Sequence, residues 1–132
     1  VTAGCGADPA ADHRRNADAI CGETRAKIDA LGEPATMAQL ERVAQRTLPI
    51  ARDGVRRLGR LEGKTAESRA LLTELARQLP LIVQVREAAA LRQVERLERL
   101  AREGRALETR ADRLAREAGM RVCGTDPAVP GG

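Results

Sequence analysis

Apolar residues recur along most of this chain at steps of three and four, which is the spacing of a helix with one buried stripe. The clearest run is Ser68, Leu72, Leu75, Leu79, Ile82, Arg86 and Ala89. A second follows with Val94, Leu97, Ala101, Gly104, Leu107, Ala111, Leu114 and Ala118. The opposite faces are Arg and Glu, with pairs such as Glu95–Arg99 and Glu98–Arg102 one turn apart. Each such pair contributes only ~0.2–0.5 kcal/mol. Two earlier stripes complete the pattern. Ala17, Ile20, Thr24, Ile28 and Leu31 face inward from a first helix, and Leu40, Ala44, Leu48, Ala51, Val55 and Leu58 from a second.

The punctuation agrees with these blocks. Asp8-Pro9 is a helix start, with Asp as cap and Pro at the first helical position. Gly32-Glu33-Pro34 stops the first helix at about Leu31. Thr36 with Gln39 forms a capping box for a second helix reaching about Leu61. Gly63 ends it, Thr65 and Glu67 open the third, and Gly119 closes the last. A single helix from Thr65 to Ala118 would be ~80 Å long at 1.5 Å per residue. The cysteines argue for a break instead. Of Cys5, Cys21 and Cys123, the second lies in the first helix and the third just past the last. In an up-down bundle the chain ends meet only when the helix number is even. A Cys21–Cys123 bridge therefore requires four helices and a turn near Glu87–Ala90, within Arg86–Leu91, although no Gly, Pro or Asn marks it. The expected fold is all-α, an antiparallel up-down four-helix bundle whose ends are tied by a disulfide.

Pro49 and Pro80 fall inside helices, at nearly the same height in a hairpin turning at Gly63. Each removes a backbone hydrogen bond, at about 3 kcal/mol in a regular helix interior. They read as kinks that let the hairpin curve. A widened section admitting a small apolar ligand is the other reading, but no polar or aromatic residue converges at that level to orient one.

Composition sharpens the picture. The chain has 132 residues, enough for one domain with a modest core, and it contains no Phe, Trp or Tyr. The core must therefore be Leu, Ile, Val and Ala. The net charge is +4, and all cations but Lys27 and Lys64 are Arg. An Arg- and Ala-rich composition is usual for a high-GC genome. Without aromatics nothing stacks on bases, which counts against single-stranded nucleic acid as a partner; duplex phosphate binding through Arg alone stays open but has no motif behind it. Apolar runs fall short of the ~18 residues that span a bilayer. The chain lacks an initiator Met, so it is expected to derive from a longer precursor or a shortened form of one.

Catalytic chemistry has no candidate residue. His13, the sole histidine, sits beside Arg14 and Arg15 and is expected to be a solvated surface residue. Ser68, the sole serine, has no histidine partner in reach by sequence. A zinc site from Cys5, His13, Cys21 and Cys123 would need groups from a tail and from a helix eight residues apart. No phosphate loop is present, and no cofactor or metal is implied.

Cys5 is the odd cysteine. Val1-Thr2-Ala3-Gly4-Cys5 resembles the end of a bacterial lipoprotein signal peptide, where small residues precede a Cys that becomes lipidated; Thr2 stands where Leu is usual. From about Cys5 to Gly124 the chain resembles a group of small envelope lipoproteins from high-GC Gram-positive bacteria. The shared features are that Cys, Ala19-Ile20-Cys21, Leu48-Pro49-Ile50, and a last helix finishing Ala118-Gly119-Met120-Arg121-Val122-Cys123-Gly124. The Gly-Asp turn that often separates the last two helices in that group is missing here. The resemblance implies compartment and fold, and no activity.

The expected organisation is a lipobox-like segment over residues 1–7, a helical bundle over 8–124 and a disordered tail over 125–132. The expected role is binding or structural, outside the cytoplasm, at a membrane held through lipidated Cys5, with an envelope protein as possible partner. Arg14, Arg15, Arg56, Arg57, Arg60 and Lys64 share the tethered pole and are candidates for contact with an anionic surface. The alternative is a cytosolic Arg-rich helical protein that binds nucleic acid or self-associates as a coiled coil.

Overall fold

A computed structural model describes residues 8–124. The N-terminal segment with Cys5 and the 125–132 tail lie outside the described residues. Four helices follow one another: α1 (Pro9–Asp29), α2 (Met37–Arg60), α3 (Ala66–Ala90) and α4 (Val94–Glu117). The architecture is the expected all-α four-helix bundle, with the Cys21–Cys123 disulfide tying its ends.

The helix starts use the caps written in the sequence. Asp8 accepts from the Ala10 and Ala11 N–H groups at 3.1 Å, with Pro9 at the first helical position. Thr36 accepts from Gln39 N–H at 3.1 Å, but the Gln39 side chain accepts from Ala35, one residue before the cap. Thr65 and Ser68 form the reciprocal box, each side chain accepting from the other's N–H at 2.8 and 3.1 Å. Two orphan donors are satisfied at each such end.

The break between the last two helices falls a few residues later than the sequence indicates. α3 runs through Glu87–Ala90 to its end, and the turn is Leu91-Arg92-Gln93. It is a Schellman turn: Gln93 N–H donates to Ala88 C=O at 2.9 Å and Arg92 N–H to Ala89 C=O at 3.1 Å. Arg92 takes the left-handed position, with φ 54°, where glycine is usual. The same turn recurs after α4, with Gly119 at φ 78° and Met120 N–H donating to Ala115 C=O at 2.9 Å.

Burial concentrates at one pole, formed by the start of α1, the α2–α3 turn and the end of α4. Ala17, Ile20, Leu58, Leu71, Ala111, Ala115, Met120 and Cys123 form one cluster there. The buried faces of α3 and α4 are broader than the stripes read from the sequence. On α3, Ser68 and Ala89 are buried as read, Leu71, Glu74 and Ala88 are buried beside them, and Arg86 is exposed; on α4, Ala111 is buried as read, Leu100 and Ala115 are buried beside the stripe, and Val94 is 53% exposed. α3 packs between α2 and α4, so it must serve two neighbours rather than one stripe. α1 packs on α2, with the Thr24 side chain lying against Gly54. Among the described residues, no Cα of α1 approaches one of α4 within 8 Å. The bundle therefore has an open seam on that side. Pro49 and Pro80 lie on exposed faces, and both helices continue through them.

Two backbone positions test this account. A Cβ on Gly63, at φ 75°, would stand 2.5 Å from the Pro9 carbonyl oxygen, so Gly63→Ala should lose about 3 kcal/mol through left-handed strain and separation of the α1 start from the turn. Arg92→Gly should gain about 1 kcal/mol by relieving the same strain without a clash. Urea denaturation followed by far-ultraviolet circular dichroism measures both, and a neutral Gly63→Ala would contradict the close approach.

Candidate functional site

The pole is held by a carboxylate and a disulfide one turn apart on α1. Asp18 accepts from the N–H groups of Arg121, Val122 and Cys123 at 3.0, 2.9 and 3.1 Å. The segment that leaves α4 at Gly119 is thereby captured before it reaches Cys21. Cys21 and Cys123 are then joined across a sequence separation of 102, with Cα atoms 5.2 Å apart. A loop of that size gives ~4.7 kcal/mol in the chain-entropy model. Both cysteines are consumed in this bond, so they are not thiolate ligands, and no group of three or more His, Cys, Asp or Glu among the described residues is placed to hold a metal ion.

His13 corrects the sequence expectation: it is buried, only 4% exposed, not a solvated surface residue. Its Nδ1–H donates to the Glu62 carbonyl at 3.0 Å. The donated proton fixes the tautomer and pins α1 to the α2–α3 turn. The fold also brings Ser68 to the same void as His13, of about 10 Å³, a proximity that the sequence separation hid. The Ser68 hydroxyl donates to Thr65 C=O at 3.0 Å and caps α3. The void is at most the size of one water, and both side chains are engaged in hydrogen bonds that build the pole.

The six basic residues proposed for surface contact do gather at this pole, but most are engaged within the protein. Arg15 pairs with Asp12, Arg56 with Asp53, and Arg57 on α2 with Glu23 on α1. The Lys64 ammonium donates to the Leu61 carbonyl. The Arg14 stem lies over Gly119, 2.9 Å from where a Cβ would be. Arg60 is exposed. The Arg57 guanidinium holds the Glu23 carboxyl below the usual carboxylate range by hydrogen bonding and charge, and Glu23 in turn raises Arg57.

A second feature is the widened section that the sequence offered as the other reading of Pro49 and Pro80. The seam between α1 and α4 contains a cavity of about 310 Å³, at the level just inside Pro49 and Pro80. Its floor is Ile28, Ala51, Val55, Leu58, Leu75 and Leu79, and the disulfide forms part of its wall. Arg25, Asp29, Glu108 and Asp112 also line it. Asp29 and Glu108 are exposed, which puts them at the mouth. The charged residues at this level come from α1 and α4, and the proline-bearing hairpin adds Gln78. Glu74, buried on α3, reaches Arg77 and Arg110 at 3.1 and 3.4 Å through one oxygen, while its second has no partner.

Comparison with protein-family models, with characterised proteins and with solved structures finds no match.

The closure predicts a redox-dependent melt. Reduction, Cys21→Ser and Cys123→Ser should each cost about 2–4 kcal/mol, and Asp18→Ala about 2 kcal/mol through three N–H groups losing a charged acceptor. Thermal melts with and without reductant read this out; superposed curves would show the bridge to be idle. The Glu23–Arg57 pair predicts a pH dependence. Because the folded carboxyl lies below its ordinary 4.5, the pair's contribution is complete above that value and is lost as pH falls through the lower folded one. The midpoint difference between wild type and Arg57→Gln should thus be constant at neutral pH and shrink in acid.

Proposed function

We propose that this chain is a membrane-anchored extracytoplasmic helical bundle with a binding or structural role and no catalytic chemistry, akin to the small envelope lipoproteins it resembles. The observation that carries the reading is the Cys21–Cys123 disulfide. Protein disulfides persist in oxidising compartments and are rare in the cytosol. A bridge set by a dedicated carboxylate, Asp18, is part of the architecture and not a chance meeting of surface thiols. With two cysteines so used, Cys5 is left over, in a sequence context suited to lipidation. No described helix is long and apolar enough to cross a membrane, so attachment in this reading comes from the acyl chains.

The internal pairing of Arg15, Arg56 and Arg57 makes the acyl anchor decisive. Cations beside carboxylates give a small net field, and salt screens what remains. Two or more acyl chains hold a protein stably where such charges do not. Protein from a lipidating host should therefore co-sediment with anionic vesicles at low and high salt, whereas Cys5→Ser should bind weakly and be released by salt. Equal release of both forms would overturn the anchor.

A further inference from the structure

The seam cavity has an apolar floor, and its polar lining divides into engaged and unengaged groups. Arg25, Glu108 and Asp112 line it, and each is already engaged in interactions within the protein. A charged head beside them would compete with those interactions or stay unpaired over the apolar floor, and either costs free energy. Gln78 differs. It also lines the cavity, and its carboxamide makes no hydrogen bond among the described residues. Its place on α3 is an inward one. It stands seven residues after buried Leu71, three after Leu75 and four before Ile82, where the helical period asks for an apolar side chain. The half-buried amide there carries two N–H donors and an acceptor, and no charge. An apolar floor with one unengaged neutral polar group is the composition of a small-molecule site in which area gives affinity and the polar group gives orientation.

We propose that the seam cavity binds a small neutral amphiphile of the medium-chain alcohol type: its alkyl chain lies on the floor around Val55, Leu75 and Leu79, and its uncharged head hydrogen-bonds to the Gln78 carboxamide. The entrance is the seam itself, where no Cα of α1 comes within 8 Å of one of α4 among the described residues. Ligand size follows from the volume. An apolar cavity of about 150 Å³ holds one benzene, so the volume of about 310 Å³ here takes about ten non-hydrogen atoms. A single short chain fits, and a two-chain lipid does not. Such a ligand supplies the chemistry of the binding role proposed above, on which this reading rests. Binding belongs to the bundle and attachment to Cys5, so the two can fail separately.

The test is calorimetric titration of the full oxidised chain with 1-octanol, with 1-butanol, octyltrimethylammonium and octyl sulfate in parallel, the last two below their micelle concentrations. 1-Octanol should bind saturably, one per chain. 1-Butanol, with half the chain to bury, should bind about tenfold or more weakly. Both charged probes should also bind about tenfold more weakly than the alcohol, because neither head finds an unengaged partner. Ala51→Phe fills the floor and should weaken 1-octanol by about tenfold. Gln78→Leu removes the head's partner and should weaken it by about fivefold. Absence of saturable 1-octanol binding, a charged probe bound as tightly as the alcohol, or an Ala51→Phe or Gln78→Leu variant that folds and binds like wild type would each overturn the proposal. The comparisons of head and chain length are made on the wild type and stand even if a variant fails to fold.

Discussion

Closure of this bundle depends on the Asp18 carboxylate. No Cα of α1 comes within 8 Å of one of α4 among the described residues, so apolar contact between the two helices is limited to the cluster at the pole, where Ala17 and Ile20 meet Ala111 and Ala115. The join is made by the segment after α4. Gly119 reverses the chain, Asp18 collects three consecutive N–H groups, and the disulfide makes the capture covalent. The order of these elements follows from chemistry. Backbone N–H groups just past a helix end need acceptors, and a carboxylate one turn before Cys21 satisfies them in the position that brings Cys123 to its partner.

The composition explains why such a closure matters. Among the described residues, six of the twelve buried apolar residues are alanine, each burying little more than a methyl group. At about 0.8 kcal/mol per buried CH₂, this core is thin for a chain of its length. Small residues compensate by close approach, as at Gly54 against Thr24 and Gly63 against Pro9. They do so where the backbone is already held, at the pole with the bridge and with His13 on the Glu62 carbonyl. Farther from that pole the side chains are mostly half-buried. The long apolar stretch of α3 from Leu79 to Val85 is only partly covered.

Much of the fold was legible because it is local. Asp8-Pro9, Thr36 and Thr65 announce helix starts through their own side chains, and Gly63 and Gly119 announce ends through φ. The disulfide was legible because helix parity links it to the number of turns. The last break was legible only by that route. Its turn is held by backbone hydrogen bonds to Ala88 and Ala89, with an arginine at the left-handed position, and no residue type betrays it. His13 escaped for a different reason. Its neighbours Arg14 and Arg15 suggest solvent, but its acceptor, the Glu62 carbonyl, lies 49 residues away in the α2–α3 turn. The breadth of the buried face of α3 escaped because a helix packed between two partners buries more than one stripe, and a period of 3.6 marks only the average face.

The seam and the closure are consequences of one another. A bundle that closed by packing α4 onto α1 would bring those helices to 8–10 Å between axes and fill the space now occupied by the cavity. A bundle that closed through neither contact nor bridge would leave α1 attached through α2 alone and the space open to solvent. Closing through a short covalent segment at one pole satisfies the chain ends while keeping α1 and α4 apart along their length. The apolar floor of the seam is then a part of the fold, with the first and last helices joined at one end by Asp18 and the Cys21–Cys123 bridge.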